Sequence, residues 1–397
     1  MCFIDGVEAD ALTWRHHPVE GKDPMTPRAI PLEPEDFDTN VVQELIRTKY
    51  PDVTVESVSV FDSALSTDGD QRVSTARRIT VDVDYGGEAS HDLPRRLTIK
   101  VARPGLGDIP LYDNEVSVYE HLADELPVMV PRCVGAVRDK STSSFGLALE
   151  DLRVRDAEFP NVLTPVDAGG VEHIVGQLAI LHARYWQTSR FDGDLSWVQP
   201  HTSGPIHDLF THEGGVPMLV NWEVQTQQFK RELVESVGET ASTLLQKVNA
   251  AQLHQAALPT TLLHGDCHIG NTYVLPDGRR GLLDWQLSAR GFCMHDVSYL
   301  IITALSVKDR RTYEDELIEY YRQQLTHAGV TDAPSVEQLR YEHRLAAAWC
   351  FYIGWLTTPL ENYGWEINVA NQIRLATAYR DLDSKTALDD VLAKGSR

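Results

Sequence analysis

The sequence predicts an α+β fold in which a small unit, an antiparallel sheet with a helix, precedes a larger and mainly helical one. Two observations carry this expectation. Apolar residues alternate with period two through much of the first 150 positions, whereas from Val171 onward they recur at the three- and four-residue spacing of buried helix faces. The length, 397 residues, suits two or three domains or one bilobal unit, and 42% hydrophobic with 24% charged residues is ordinary for a chain with a sizeable core.

The elements follow in chain order. Residues 1–34 scatter five prolines among charges without a sustained period and read as an irregular arm. A first unit over 35–150 opens with Asp38-Thr39-Asn40 as a cap before Val41, Val42, Leu45 and Ile46, a helix that Pro51 closes off. Val53–Phe61, Ile79–Tyr85 and Leu97–Val101 alternate as strands, connected by the polar stretch Ser63–Thr75 and by Asp84-Tyr85-Gly86-Gly87. A helix over Leu111–Leu122 and strands over Val128–Val137 and Phe145–Leu149 complete the unit. The second unit, 151–397, begins with a helix bearing Val171, Ile174, Val175, Leu178, Leu181, His182 and Tyr185 on one face. Its helices are interrupted by a β-like block: Thr261–His264, Thr272–Leu275, the turn Pro276-Asp277-Gly278 and Gly281–Trp285. Helices resume at His295.

Charge excludes some functions. With 36 Lys+Arg against 58 Asp+Glu the net charge is −22, which argues against a nucleic-acid or anionic-membrane partner. Cys2, Cys133, Cys267, Cys293 and Cys350 form neither a zinc nor a disulfide pattern. The start, Met1 to Gly6, lacks a basic and then apolar leader, and Leu345–Leu356, the most apolar run, is short of the ~20 residues of a membrane span. A cytoplasmic protein is expected.

The chemistry concentrates in the β-like block. His264-Gly265-Asp266-Cys267-His268-Ile269-Gly270-Asn271 sets an Asp and an Asn at the D-x-x-x-x-N spacing of a kinase catalytic loop, and Asp284 follows at the end of the next hairpin strand. Phosphoryl transfer needs a carboxylate on the attacking hydroxyl and oxygen ligands for Mg2+ on the phosphates, and these three residues supply them. HGDCHIGN followed by LLDWQ resembles the catalytic motif of the aminoglycoside phosphotransferase and choline kinase-like superfamily. LAILHARYW at 178–186 and DVSYL at 296–300 resemble the flanking helices of its ecdysteroid kinase-like bacterial branch, so the resemblance spans about residues 40–395. It implies a bilobal, protein-kinase-like fold and an ATP- and Mg2+-dependent transfer of the γ-phosphate to a hydroxyl of a small molecule. By the same resemblance Asp266 is the catalytic base, Asn271 and Asp284 hold Mg2+, Asp296 is a buried brace for the loop, and His264 is structural.

Support comes from the first unit. In Leu97–Ala102, Lys100 points away from the face shared by Leu97, Ile99 and Val101. On the following helix Glu115 interrupts the apolar stripe Leu111, Val118, Leu122, and a carboxylate there calls for a cation; Lys100 is the candidate, as in kinases that fix a lysine on the α- and β-phosphates. Leu147–Leu152 resembles the hinge between lobes, where adenine would bond to backbone groups of Glu150 and Leu152. Residues 63–70 lack the G-x-G-x-x-G pattern; Ser66 and Thr67 could reach phosphate, while Asp68 and Asp70 would repel it unless turned away.

The acceptor stays open at this stage. The acidic surface suits aminoglycosides, the aromatic group Trp349, Phe351, Tyr352, Trp355, Tyr363 and Trp365 suits steroid-like or polyketide alcohols if it walls a pocket rather than packing a core, and choline or a sugar also fits. His268 could touch substrate or brace its turn. Two rival functions share the motifs: a metallohydrolase built on His264, Asp266, His268, His295 and Asp296, and a catalytically weak nucleotide-binding pseudokinase module, motivated by the loop at 63–70.

Overall fold

The structure, a computed structural model, describes residues 30–62, 75–87, 92–103, 107–164, 166–354 and 356–395. Strands β1 (Thr54–Asp62), β2 (Ala76–Gly86), β3 (Arg96–Ala102), β4 (Cys133–Asp139) and β5 (Ser144–Glu150) form an antiparallel sheet in the order β1-β2-β3-β5-β4. Helix α1 (Thr39–Ile46) lies on one face, started by the Asp38 carboxylate accepting the Val41 N–H at 3.0 Å. Its Val42, Leu45 and Ile46 share a core with Ile79, Val81, Leu97, Ile99 and Val101, the apolar phase of β2 and β3, while Thr80 and Lys100 are buried on the opposite face. Helix α2 (Pro110–His121) carries the other side toward the helical part.

The sequence boundaries shift where local chemistry intervenes. The strand expected over Val128–Val137 begins only at Cys133, because Pro131 cannot donate to a ladder. The strand expected over Ile79–Tyr85 extends from Ala76 to Gly86, taking Gly86, expected in the connection, into a pair with Thr54, and the chain leaves the strand at Gly87 with φ +98°.

The C-terminal part is mostly helical: α3 (Ala168–Arg184), α4 (Pro205–Thr211), α5 (Val216–Thr226), α6 (Gln228–Ser236), α7 (Ala241–Gln255), α8 (Met294–Ala304), α9 (Val307–His327), α10 (Val336–Gly354), α11 (Leu360–Tyr363), α12 (Trp365–Asp381) and α13 (Ser384–Gly395). Every residue of α8 is buried, wrapped by α3, α9, α10 and α12. It is the axis of this part, and its first turn lies under the catalytic-loop motif. Between α7 and α8 run β6 (Thr261–Leu263), β7 (Thr272–Val274), β8 (Arg280–Leu282) and β9 (Ala289–Gly291), paired as β6 with β9 and β7 with β8. Strand β9 is absent from the sequence reading, being three residues long and without alternation. The expected strand Gly281–Trp285 stops at Leu282, since Asp284 takes the left-handed conformation, φ +60°.

The aromatic group separates. Phe351 and Tyr352 are buried in the core around α10, against which Tyr363 packs, so these are corrected from pocket wall to core; Trp365 is 57% exposed, Trp349 lines a cavity, and Trp355 lies outside the described residues. No helix among the described residues is long and apolar enough to cross a membrane.

Candidate active site

Strand β3 and helix α2 bring Lys100 and Glu115 together: Lys100 Nζ donates to both carboxylate oxygens of Glu115, at 2.6 and 2.7 Å, with both residues buried. The same ammonium donates to Asp284 Oδ1 at 3.1 Å, joining the sheet to the helical part. Burial opposes the Lys100 charge, but the carboxylates of Asp284 and Glu115 overcome it and hold the ammonium above its ordinary pKa. Burial likewise pushes Asp284 up, and Lys100 more than reverses it, leaving the carboxyl below its usual range.

The loop is held from below. Asp296 on α8 accepts the N–H groups of His264 and Gly265 at 2.6 and 2.9 Å, and His182 on α3 donates to it at 3.3 Å. Gly265 has φ +86° and its backbone approaches the Leu287 carbonyl so closely that a side chain would collide. His264 Nε2 donates to the Leu283 carbonyl at 2.7 Å while its Nδ1 accepts the Asp266 N–H at 3.3 Å, tying the loop to the strand before Asp284. Asn271 Nδ2 donates to the Asp266 carbonyl at 2.9 Å and to its carboxylate at 3.1 Å. Burial, and then the nearby Asp284 charge, push the Asp266 carboxyl up to about 7.

The rival metal-hydrolase set does not converge. His268 Nδ1 accepts the Gly270 N–H at 3.0 Å and so braces its own turn, His295 Nε2 donates to the Gly265 carbonyl at 3.2 Å, and His264 is spent as above. Among the described residues no three His, Cys, Asp or Glu side chains gather as a metal site.

The hinge candidates follow β5, the strand that pairs with the Lys100 strand β3. Glu150 pairs with Leu97 of β3 and its N–H donates to the Arg132 carbonyl at 2.9 Å, while the Leu152 carbonyl accepts the Ala157 N–H at 3.3 Å. Arg153 clips this segment to β2, donating to Thr80 Oγ1 at 2.7 Å and to Asp151 at 2.9 Å. Ser66 and Thr67 lie outside the described residues.

Two residues escaped the sequence reading. Arg78 on β2 is exposed and sits directly across from Lys100 on the same face, close enough for its charge to be felt at Lys100 and Asp284. Its signal was its phase in β2, opposite to the buried Ile79 and Val81, but the pairing with Lys100 needs the register. Asn114, buried beside Glu115 on α2, donates to the carbonyls of Gln286 and Ser288 at 2.9 and 2.8 Å and anchors the segment after Asp284.

A family model described as "Phosphotransferase enzyme family" matches residues 88–339, more than half of the chain, including Lys100, Glu115, Asp266, Asn271, Asp284 and Asp296. The chain belongs to this phosphotransferase family. It is a phosphotransferase. Solved structures similar to this phosphotransferase include choline kinase from Cryptosporidium parvum Iowa II, with TM-score 0.49, 14% identity, and coverage of 87% of this chain and 93% of that one. Plasmodium vivax ethanolamine kinase gives TM-score 0.49 and 12% identity, with 86% of each chain covered. The macrolide 2'-phosphotransferase of Brachybacterium faecium gives 0.40 and 16%, covering 87% and 98%. Comparison with curated proteins finds no match.

Proposed function

We propose that this phosphotransferase moves the γ-phosphoryl group of ATP, with Mg2+, to a hydroxyl of a small molecule. The observation that carries the reading is the continuous polar network from Glu115 through Lys100 to Asp284 at one side of the cleft, with the Asp266–Asn271 pair on the loop beside it. Bound adenine would meet backbone groups of Glu150 and Leu152 at the hinge.

In this mechanism Glu115 fixes Lys100 so that its ammonium neutralises the α- and β-phosphates without reorganising. Arg78 adds a second cation on the same face of the sheet. Asn271 and Asp284 offer hard oxygen donors of the kind Mg2+ prefers; with the Asn271 amide nitrogen turned to Asp266, its oxygen is the atom left for a cation. Bound there, Mg2+ would offset phosphate charge and orient the triphosphate. Asp266 receives the hydrogen of the acceptor hydroxyl and aims its oxygen, while Asp296 keeps the loop backbone from yielding. The division near Asp151 separates the nucleotide-holding unit from the one that carries the loop. We assign the reaction to the cytoplasm, where ATP is available and where the buried free thiols Cys133, Cys267, Cys293 and Cys350 would stay reduced.

The test is incubation with Mg·ATP and a pooled panel of hydroxylated compounds, read by mass spectrometry. Wild-type protein is expected to add one phosphate to a panel member. Asp266→Asn should lower turnover roughly 10²–10⁴-fold while binding nucleotide normally; near wild-type turnover in that variant overturns the role of Asp266.

A further inference from the structure

A recess beside the catalytic loop is lined by Gly265, by Phe210 on α4, Gln252 on α7 and Trp349 on α10, and by His201 and His295. The rings form one continuous wall, with centroids 5.4 Å apart from His201 to His295, 5.1 Å from His295 to Trp349 and 5.6 Å from Trp349 to Phe210. Among the described residues no Asp or Glu side chain lines it, although the protein carries a net charge of −22. A cation placed there would lose water without gaining a counter-charge.

Two polar atoms in this apolar setting have no partner among the described residues: Gln252 Oε1, on a residue only 4% exposed, and His201 Nε2. The Arg290 carbonyl can only accept, so His201 carries its hydrogen on Nδ1, 3.4 Å away, and Nε2 is a bare lone pair. Burial, then the neighbouring His295, hold the His201 ring neutral, with a pKa lowered to about 3. Both orphan atoms are therefore acceptors. Native proteins rarely leave such groups unpaired, and these two share one recess beside the catalytic loop. The recess encloses about 30 Å³, which is room for one small group, so a ligand enters it by one end.

Resting on the phosphotransferase reading above, we propose that this recess selects the acceptor, and that the acceptor is an uncharged, largely apolar ring alcohol with a second hydroxyl that donates to Gln252 Oε1 or His201 Nε2. The hydroxyl that is phosphorylated is the other one, presented to Asp266. A charged end of an aminoglycoside or of choline is disfavoured there by the missing carboxylate, and the rings suit one apolar end of a ring skeleton.

The experiment uses three uncharged ring diols (a steroid diol such as estradiol, a macrolactone diol and a terpenoid diol) beside kanamycin and choline, each with Mg·ATP. Steady-state kinetics are measured on wild type, Gln252→Leu and His201→Phe, and melting curves without acceptor. At least one diol should be phosphorylated with a kcat/KM about 100-fold above either cation. Gln252→Leu should raise the diol KM roughly tenfold or more, with kcat and the KM for ATP little changed. Its melting temperature should hold or rise, because an apolar isostere replaces an unpaired buried oxygen; His201→Phe should behave in the same way. A fall in melting temperature in both variants, or an unchanged diol KM, makes these residues structural and overturns the inference. Preference for kanamycin or choline overturns it while leaving the phosphotransferase reading intact. Transfer to none of the five acceptors overturns the pocket assignment, and the kinase reading falls with it only if Mg·ATP also fails to bind.

Discussion

Lys100 and Arg78 face the same cleft from adjacent strands, yet their environments demand opposite behaviour on mutation. Lys100 is buried and satisfied by two carboxylates, so Glu115→Gln strips a charge from a buried pair and should cost about 3–5 kcal/mol of stability. Arg78 is exposed, so Arg78→Ala should leave the urea midpoint within about 0.5 kcal/mol of wild type. If Arg78 meets phosphate, the same change should raise the KM for ATP roughly tenfold or more, the worth of a hydrogen bond between charged groups. Urea denaturation and ATP kinetics on both variants separate the two residues, and an unaltered KM in Arg78→Ala would remove it from the nucleotide site. The pairing of Lys100 with Glu115 was legible in the sequence because each side of it breaks a period: a lysine in the phase opposite to the core of β3, a glutamate inside the apolar stripe of α2. Arg78 breaks no period, since a polar residue at its phase is what a half-buried strand shows anyway. Its partner is set by the register of β2 on β3, and register is a long-range property.

At the level of elements, the first turn of α8 is where the motif gains its rigidity, and the charges around it give the protein a particular response to acid. Asp296, buried and held ionised chiefly against burial by His182, has its pKa lowered; its contribution is therefore complete above the ordinary carboxylate range near 4 and is lost as pH falls through the lower folded value. The imidazoles of His201 and His295 are also shifted down, by burial, His201 to about 3. For these the unfolded chain takes up protons from about pH 6.5 while the folded chain does not, so stability declines as pH drops below that value, before carboxylates in the ordinary range near 4 titrate. Between pH 7 and 5 the His201 shift should remove up to about 2 kcal/mol. The urea midpoint is expected to fall over that interval, and His201→Gln to flatten the fall; a flat profile in wild type would mean that these rings protonate in place. The architecture of helices and strands was largely legible from periodicity, as α3 and the alternation in β2 and β3 illustrate. The departures occur where a single residue overrides the pattern: Pro131 delays β4, and the left-handed Asp284 cuts β8 short. Strand β9 and the recess could not be read, because three residues show no period and because Phe210, Gln252 and Trp349 meet only once α4, α7 and α10 are packed.

Across the whole molecule, several polar ties between the two parts converge on the segment that follows β8, while others, such as Tyr185 and Arg190 on Glu125, lie apart from it. Lys100 reaches Asp284, Asn114 holds the carbonyls of Gln286 and Ser288, and Thr75 bonds to the Gln286 side chain. A ligand that binds between the sheet and the loop therefore stabilises contacts that bridge both parts, and its effect should appear as global protection rather than local ordering. For a ligand at about 100 times its Kd the gain is about 2.7 kcal/mol, visible as a rise in melting temperature. If Asp284 and Asn271 hold Mg2+, ATP with Mg2+ should protect the wild type more than ATP with EDTA. Asp284→Asn is the suitable variant, because asparagine keeps the volume and tolerates the left-handed backbone at this position. It should melt in the presence of ATP at the same temperature with or without Mg2+, while ATP itself still binds through Lys100 and the hinge. A full Mg2+ increment in that variant would take the metal away from Asp284 and require its oxygen ligands to be sought elsewhere along the loop.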